Sequence, residues 1–175
     1  AAGGLKIIAI GLVKELTVEA AKRAALGAGA KILDVFAHEL TEEDVERITK
    51  LHPDIILLAG GTDGGNKDVL IYNAQLLCQL GIRSPVIIAG NRVAAPEAKK
   101  ILEASGFEVV IAENVMPQLN VLNVEDARLQ IREIFLKKII LVKGLKKTEA
   151  FLDGVVLPTP AAVLKAAELL ALGTA

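Results

Sequence analysis

The strongest constraint on the fold of this chain is an alternation. Short runs of aliphatic and β-branched residues, at 6–12, 31–36, 54–59, 85–89 and 108–112, are separated by longer stretches with helical spacing. Repetition of strand, helix and strand builds βαβ units, whose strands run the same way. The run Ile55-Ile56-Leu57-Leu58-Ala59 shows no polar alternation, so it predicts a central strand covered on both faces. The fold class is therefore α/β, a three-layer, mostly parallel sheet with helices on both faces (flavodoxin/Rossmann-like), plus a C-terminal helical extension.

Punctuation residues set the expected boundaries. Thr17 is placed as the cap of a first helix that Gly27 and Gly29 stop. Thr41-Glu42-Glu43-Asp44 has the form of a capping box, and Pro53 ends the helix it opens. Gly81 closes the third helix, Pro96 suits the first turn of the fourth and Gly106 stops it. The rhythm then breaks. Residues 113–124 contain Pro117 and three asparagines and read as a long connection, and residues 125–137 read as a helix. Ile139-Ile140-Leu141-Val142 fits either a strand or the tail of that helix, and Thr159-Pro160 opens a last helix to about Leu172. This divides the chain into a parallel α/β domain, 1–124, and a mainly helical extension, 125–175.

Composition narrows the function classes. Hydrophobic residues make up 53% and charged residues 23%, the balance of a large core under a mixed-charge surface. No apolar run approaches the roughly 20 residues that cross a bilayer. A formal net charge of −1, 3% aromatic residues and no tryptophan offer neither the field nor the stacking platforms of a nucleic-acid binder. The single cysteine, Cys78, among leucines in a helix, reads as a small buried thiol and points to a reducing compartment. With no basic leader ahead of Ala1-Ala2-Gly3-Gly4, a cytoplasmic location is expected. The lone methionine at Met116 reads as the mark of a piece of a longer chain.

Right-handed crossovers bring the turns after parallel strands to one edge of the sheet, where α/β proteins bind their ligands. Here that edge collects Gly60, Gly61, Thr62, Asp63, Gly64, Gly65 and Asn66, then Asn91 and Arg92, then Glu113 and Asn114. The glycine-rich loop has two readings. Bare amides ahead of a helix can hold a phosphate or other small anion. Yet the loop is neither a P-loop nor G-x-G-x-x-G, and Asp63 would repel a phosphate unless a metal intervened. The other reading gives the glycines turn roles and makes Asn66 the helix N-cap, leaving the loop as a polar interaction surface. Asn91, Arg92, Glu113 and Asn114 are either partner contacts or ordinary turn residues. His38 and His52 lack zinc-ligand spacing, and His38 stands too far from Asp34 to reproduce the Asp-x-His-x-x-Gly of base-off cobalamin domains. Lys137, Lys138, Lys143, Lys146 and Lys147 read as a solvated basic stretch.

Four segments carry a family resemblance. They are Ala1-Ala2-Gly3-Gly4-Leu5, then Ala9-Ile10-Gly11-Leu12-Val13, then Leu16-Thr17-Val18-Glu19-Ala20-Ala21-Lys22-Arg23-Ala24-Ala25-Leu26-Gly27-Ala28-Gly29-Ala30, then Asp54-Ile55-Ile56-Leu57-Leu58-Ala59-Gly60-Gly61-Thr62-Asp63-Gly64-Gly65-Asn66. With them the chain resembles the glutamate mutase accessory family of MutL/GlmL type, over essentially its whole length. The resemblance implies a chaperone or reactivating factor for an adenosylcobalamin-dependent mutase of the glutamate mutase or ornithine aminomutase kind, built on an actin- and Hsp70-like (ASKHA) ATPase core. The two phosphate loops of such a core, Asp-x-Gly-Ser/Thr-x-Thr-Lys and Asp-x-Gly-Gly-x-Thr-Thr-Asp, do not occur here, and Gly60-Gly61-Thr62-Asp63 only partly resembles the second. The resemblance therefore implies the region between those loops, with ATP and Mg²⁺ belonging to the longer parent and no cofactor, metal or catalytic residue to this stretch. The implied partners are a cobalamin-dependent mutase subunit and the rest of the ATPase core, with neither nucleic acid nor membrane.

Overall fold

The computed structural model describes residues 4–142. The elements follow as β1 (Leu5–Gly11), α1 (Lys14–Ala25), β2 (Ala30–Ala37), α2 (Glu42–Leu51), β3 (Ile55–Leu58), α3 (Asp68–Leu77), β4 (Val86–Ile88), α4 (Ala95–Ala104), β5 (Val109–Ile111) and α5 (Glu125–Val142). The strands form one five-stranded sheet in the order β2-β1-β3-β4-β5, with every pairing parallel. This is the expected class, with all rather than most pairings parallel among the described residues, and the order is the doubly wound, flavodoxin-like one. The order reverses at β1: the chain steps out to β2, then crosses back to lay β3 on the other side of β1.

The two-residue period of the strands sorts the core into two layers. Ile8, Ile10, Ile56, Leu58, Val86 and Ile88 pack with α2, α3 and α4 through Val45, Ile48, Leu70, Leu77 and Leu102. Ile7, Ala9, Ile55, Leu57 and Ile87 meet α1 and α5 through Ala20, Ala21, Ala24, Ala127, Ile131 and Ile134. Covered on both faces, β3 has no polar position, which is why its sequence is an unbroken apolar run. Burying each of its four side chains stabilises the fold by about 1.5–3 kcal/mol. The alanine side of α1 lets that helix lie close to the sheet.

Two sequence expectations resolve differently at the helix starts. Helix α1 begins at Lys14, three residues before Thr17, and its N-cap is the extended Val13, which makes no side-chain cap bond. Thr17 instead lies inside the helix, buried, with Oγ1 donating to Val13 O at 2.6 Å. With no capping residue type among Leu12, Val13 and Lys14, only Thr17 looked like a start. Thr41 does cap α2: Asp44 N donates to its Oγ1 and Thr41 N donates to Asp44 Oδ2, the reciprocal pair of a capping box. The ambiguous run 139–142 continues α5 as helix. Lys143, Lys146, Lys147 and the helix expected from Thr159 to Leu172 lie outside the described residues.

Helix α5 runs back across the sheet from its carboxyl edge to its amino edge. Near the end Lys138 Nζ meets Asp54 Oδ1 at 2.6 Å, while Lys6 N donates to Asp54 Oδ2 at 2.8 Å. Partial burial pushes the Asp54 carboxyl up, but the Lys138 bond, the Lys6 amide and the charges of both lysines outweigh it and hold Asp54 below its ordinary value. A depressed carboxylate stabilises the fold above its unfolded pKa, about 3.9, and that contribution is lost as pH falls through the lower folded value. Asp54→Asn is therefore expected to cost under about 1 kcal/mol at pH 7, given a pair about one-third exposed. The difference from the parent protein should shrink as pH falls below the unfolded carboxylate range and vanish once the lowered folded value is passed, in paired denaturant melts.

A braced rim at the carboxyl edge

Because every strand points the same way, the loops after β1, β3, β4 and β5 share one edge. The predicted residues meet there, though not as a row of open polar groups. Asn91 and Asn114 are buried, 0% and 4% exposed, and their amides are engaged within the protein. Asn91 Oδ1 accepts from Gly64 N at 3.3 Å and Val93 N at 3.0 Å, and its Nδ2 donates to Gly65 O at 3.2 Å and Asn66 O at 3.1 Å. Asn114 Nδ2 donates to Gly61 O and to Asp63 Oδ1, both at 3.0 Å, and its Oδ1 accepts from Met116 N. Asp63 completes the lattice: Oδ1 also accepts from Arg92 N at 3.0 Å, while its own N–H donates to Pro117 O at 3.0 Å. One carboxylate and two carboxamides thus tie the loops after β3, β4 and β5 together.

The glycines follow from this crowding. Gly60, Gly61 and Gly64 have φ of 137°, 72° and 75°, the region that favours glycine. At Gly90 a Cβ would stand 2.7 Å from Gly60 O and 2.9 Å from Gly60 N, so the loops after β3 and β4 touch backbone to backbone. Gly65 N donates to Thr62 O, closing a four-residue turn. Asn66 Oδ1 accepts from Val69 N at 3.1 Å and so caps α3 by its side chain, although the N-cap position itself is Lys67. Thr62 and Asp63 are partly exposed; Gly64, Gly65, Asn66, Arg92 and Glu113 are exposed. Glu113 Oε2 accepts from Asn123 Nδ2 at 2.8 Å, and Glu113 N donates to Asp126 Oδ2 at 2.8 Å, joining the rim to the start of α5.

The crevice at the β1/β3 reversal is small. Leu12, Leu16, Thr17, Gly60, Gly61, Val115 and Met116 line about 20 Å³, room for one water. His38 is exposed, with φ of 66°, and its carbonyl accepts from Asn73 Nδ2 at 2.9 Å. Asn73, which sequence reading passed over, is buried in α3 and also accepts Leu40 N at 2.8 Å, pinning the β2–α2 loop. A lone asparagine on the apolar face of a helix was the available signal. Also missed was the turn 118–121 in the long connection. There Val121 N donates to Gln118 O at 3.0 Å, Asn120 has φ of 61°, and Leu119 and Val121 are exposed. The Asn120 in that stretch was its turn signal. Among the described residues no cluster of three or more His, Cys, Asp or Glu could hold a metal, and no helix is long and apolar enough to cross a membrane.

Fold and rim together define a doubly wound α/β domain whose carboxyl edge is tied across the loops after β3, β4 and β5 by hydrogen bonds of Asp63, Asn91 and Asn114. The chain belongs to the MutL protein family, whose model matches residues 1–175. It is 58% identical over 174 residues to Protein MutL of Clostridium tetanomorphum, covering 99% of this chain and 38% of that relative's length. A solved structure titled the Vibrio vulnificus NanR protein complexed with ManNAc-6P aligns over 99% of this chain and 58% of its own. Its 13% identity and TM-score of 0.35 are too low to bear on fold or function.

Proposed function

We propose that this domain is the non-catalytic contact module of a reactivating factor for an adenosylcobalamin-dependent mutase, of the glutamate mutase or ornithine aminomutase type. In this reading it touches the mutase and relays nucleotide state from an actin- and Hsp70-like ATPase elsewhere in a longer protein, where ATP and Mg²⁺ act. Family membership supports the mutase partnership. The observation that carries the contact role is the lattice of Asp63, Asn91 and Asn114, which holds Thr62, Asn66, Arg92 and Glu113 on one preorganised edge.

Among the described residues, the loop 60–66 is poorly placed to cradle the phosphates of ATP. The amides of Asp63, Gly64 and Gly65 already donate to Pro117, Asn91 and Thr62, so an anion held by those three would have to displace these bonds.

The test is binding of the full-length protein to purified mutase. Thr62→Ala, Asn66→Ala, Arg92→Ala and Glu113→Ala combined are expected to weaken it about 10-fold or more, as loss of a contact edge does. Binding by the parent protein that the fourfold variant leaves unchanged would remove the rim as the contact. Titration with ATP, ADP, phosphate and adenosylcobalamin addresses the ligand-binding alternative, which micromolar binding at this loop would favour.

A further inference from the structure

Glu113 and Asn114 are neighbours in sequence that serve opposite sides of the molecule. Asn114 Nδ2 reaches the loop after β3, at Gly61 O and Asp63 Oδ1. Glu113 is bound to the entry of α5: its N donates to Asp126 Oδ2 and its Oε2 accepts from Asn123 Nδ2, both at 2.8 Å. Asn123 N also donates to Val115 O at 2.8 Å, a third tie between residues 113–115 and that entry. Ala112 and Val115, on either side of the pair, share one buried cluster with Val124, Ala127, Ile131 and Ile134. A short segment held at every residue passes a displacement on and does not absorb it.

Helix α5 is held along its length as well. Arg128 Nη2 donates to Arg23 O near the end of α1 at 2.9 Å, and Lys138 Nζ meets Asp54 Oδ1 at the foot of β3. The 18 residues of α5 span roughly 27 Å, and the chain continues from their far end into residues 143–175. From Asp54, β3 leads straight into the loop 60–66. Both ends of α5 therefore connect to that loop, one through Asp54 and β3, the other through Glu113 and Asn114.

We infer that α5 is a strut that sets the rigidity of the rim, with Asp126 and Asn123 as positioning residues that act through Glu113 and Asn114 on Asp63. Events in the rest of the longer protein reach the contact edge by this route. That last step rests on the reading of the rim as the mutase contact; the coupling of α5 to the rim does not.

Amide hydrogen exchange of the full-length protein, followed by mass spectrometry over peptides covering 55–58, 60–66 and 90–93, tests the strut. Asp126→Ala is expected to speed exchange about 10-fold in the last two regions, where the amides of Asp63, Gly64 and Arg92 donate into the lattice, and to leave β3 unaltered. Asp126→Asn keeps an oxygen for Glu113 N and should restore most of the protection, which a role limited to charge at the helix start would not allow. Glu46→Ala, which removes an exposed ion pair on α2, should exchange like the parent protein. If Asp126→Ala leaves the rim as slow as in the parent, or speeds β3 equally, the strut is wrong. Titration with purified mutase gives the second readout, in which Asp126→Ala should bind more weakly than the parent. A loosened rim with binding unchanged leaves the strut standing and removes the contact reading.

Discussion

Asn91→Ala is expected to lower the unfolding free energy by about 3 kcal/mol, a large share of the 5–15 kcal/mol typical of a domain. The reason is accounting of polar groups. The side chain is 0% exposed and serves two backbone N–H donors and two carbonyl acceptors, three of them in the loop 64–66 and one at Val93. Alanine removes all four partners at once, and water has little room to replace them. Asn91→Asp keeps both acceptor contacts, at Gly64 and Val93, but turns the two donor contacts into repulsions between oxygens, so it should fare no better at neutral pH. Urea melts of both variants would measure this. A loss below about 0.5 kcal/mol would falsify the view that Asn91 braces the rim.

The second large effect separates two reasons for a glycine. Gly61 and Gly64 have nearly the same φ, 72° and 75°. A Cβ at Gly64 meets nothing, whereas at Gly61 it would collide with the carbonyl of Asn66 and press on Asn91 Cβ. Gly64→Ala should therefore cost only the left-handed penalty, about 1–2 kcal/mol. Gly61→Ala adds overpacking against backbone and should cost about 3–4 kcal/mol. Equal melting shifts for the two variants would mean that the loop yields easily and that the close approach is not what fixes the glycine.

The fold was legible because parallel strands covered on both faces must be apolar throughout, as Ile55 to Leu58 are, and because Thr41, Pro53 and Gly106 punctuate locally. The start of α1 was not, since Val13 begins it without any capping side chain and the helix is held by its alanine face against the sheet. The rim was legible as a place, because topology alone brings the ends of β3, β4 and β5 together. Which way its groups face was not. Asparagine suits a turn whether its amide meets solvent or another loop, and only the tertiary neighbours of Asn91 and Asn114 decide that. Leu119 and Val121 escaped notice for the converse reason: apolar residues in a connection look like core until the turn that holds them outward is seen.

The reversal of strand order at β1 bears on how the polypeptide matures as it leaves the ribosome. Helix α1 and β2 follow β1 directly, so one side of β1 is satisfied early. The other side, where Ile7 pairs with Ile55 and Ile10 with Leu58, waits until more than forty further residues have been made. Through that interval a nascent strand of isoleucines stands with one margin unzipped, the moment when this domain is most exposed to mispairing with its neighbours on a polysome.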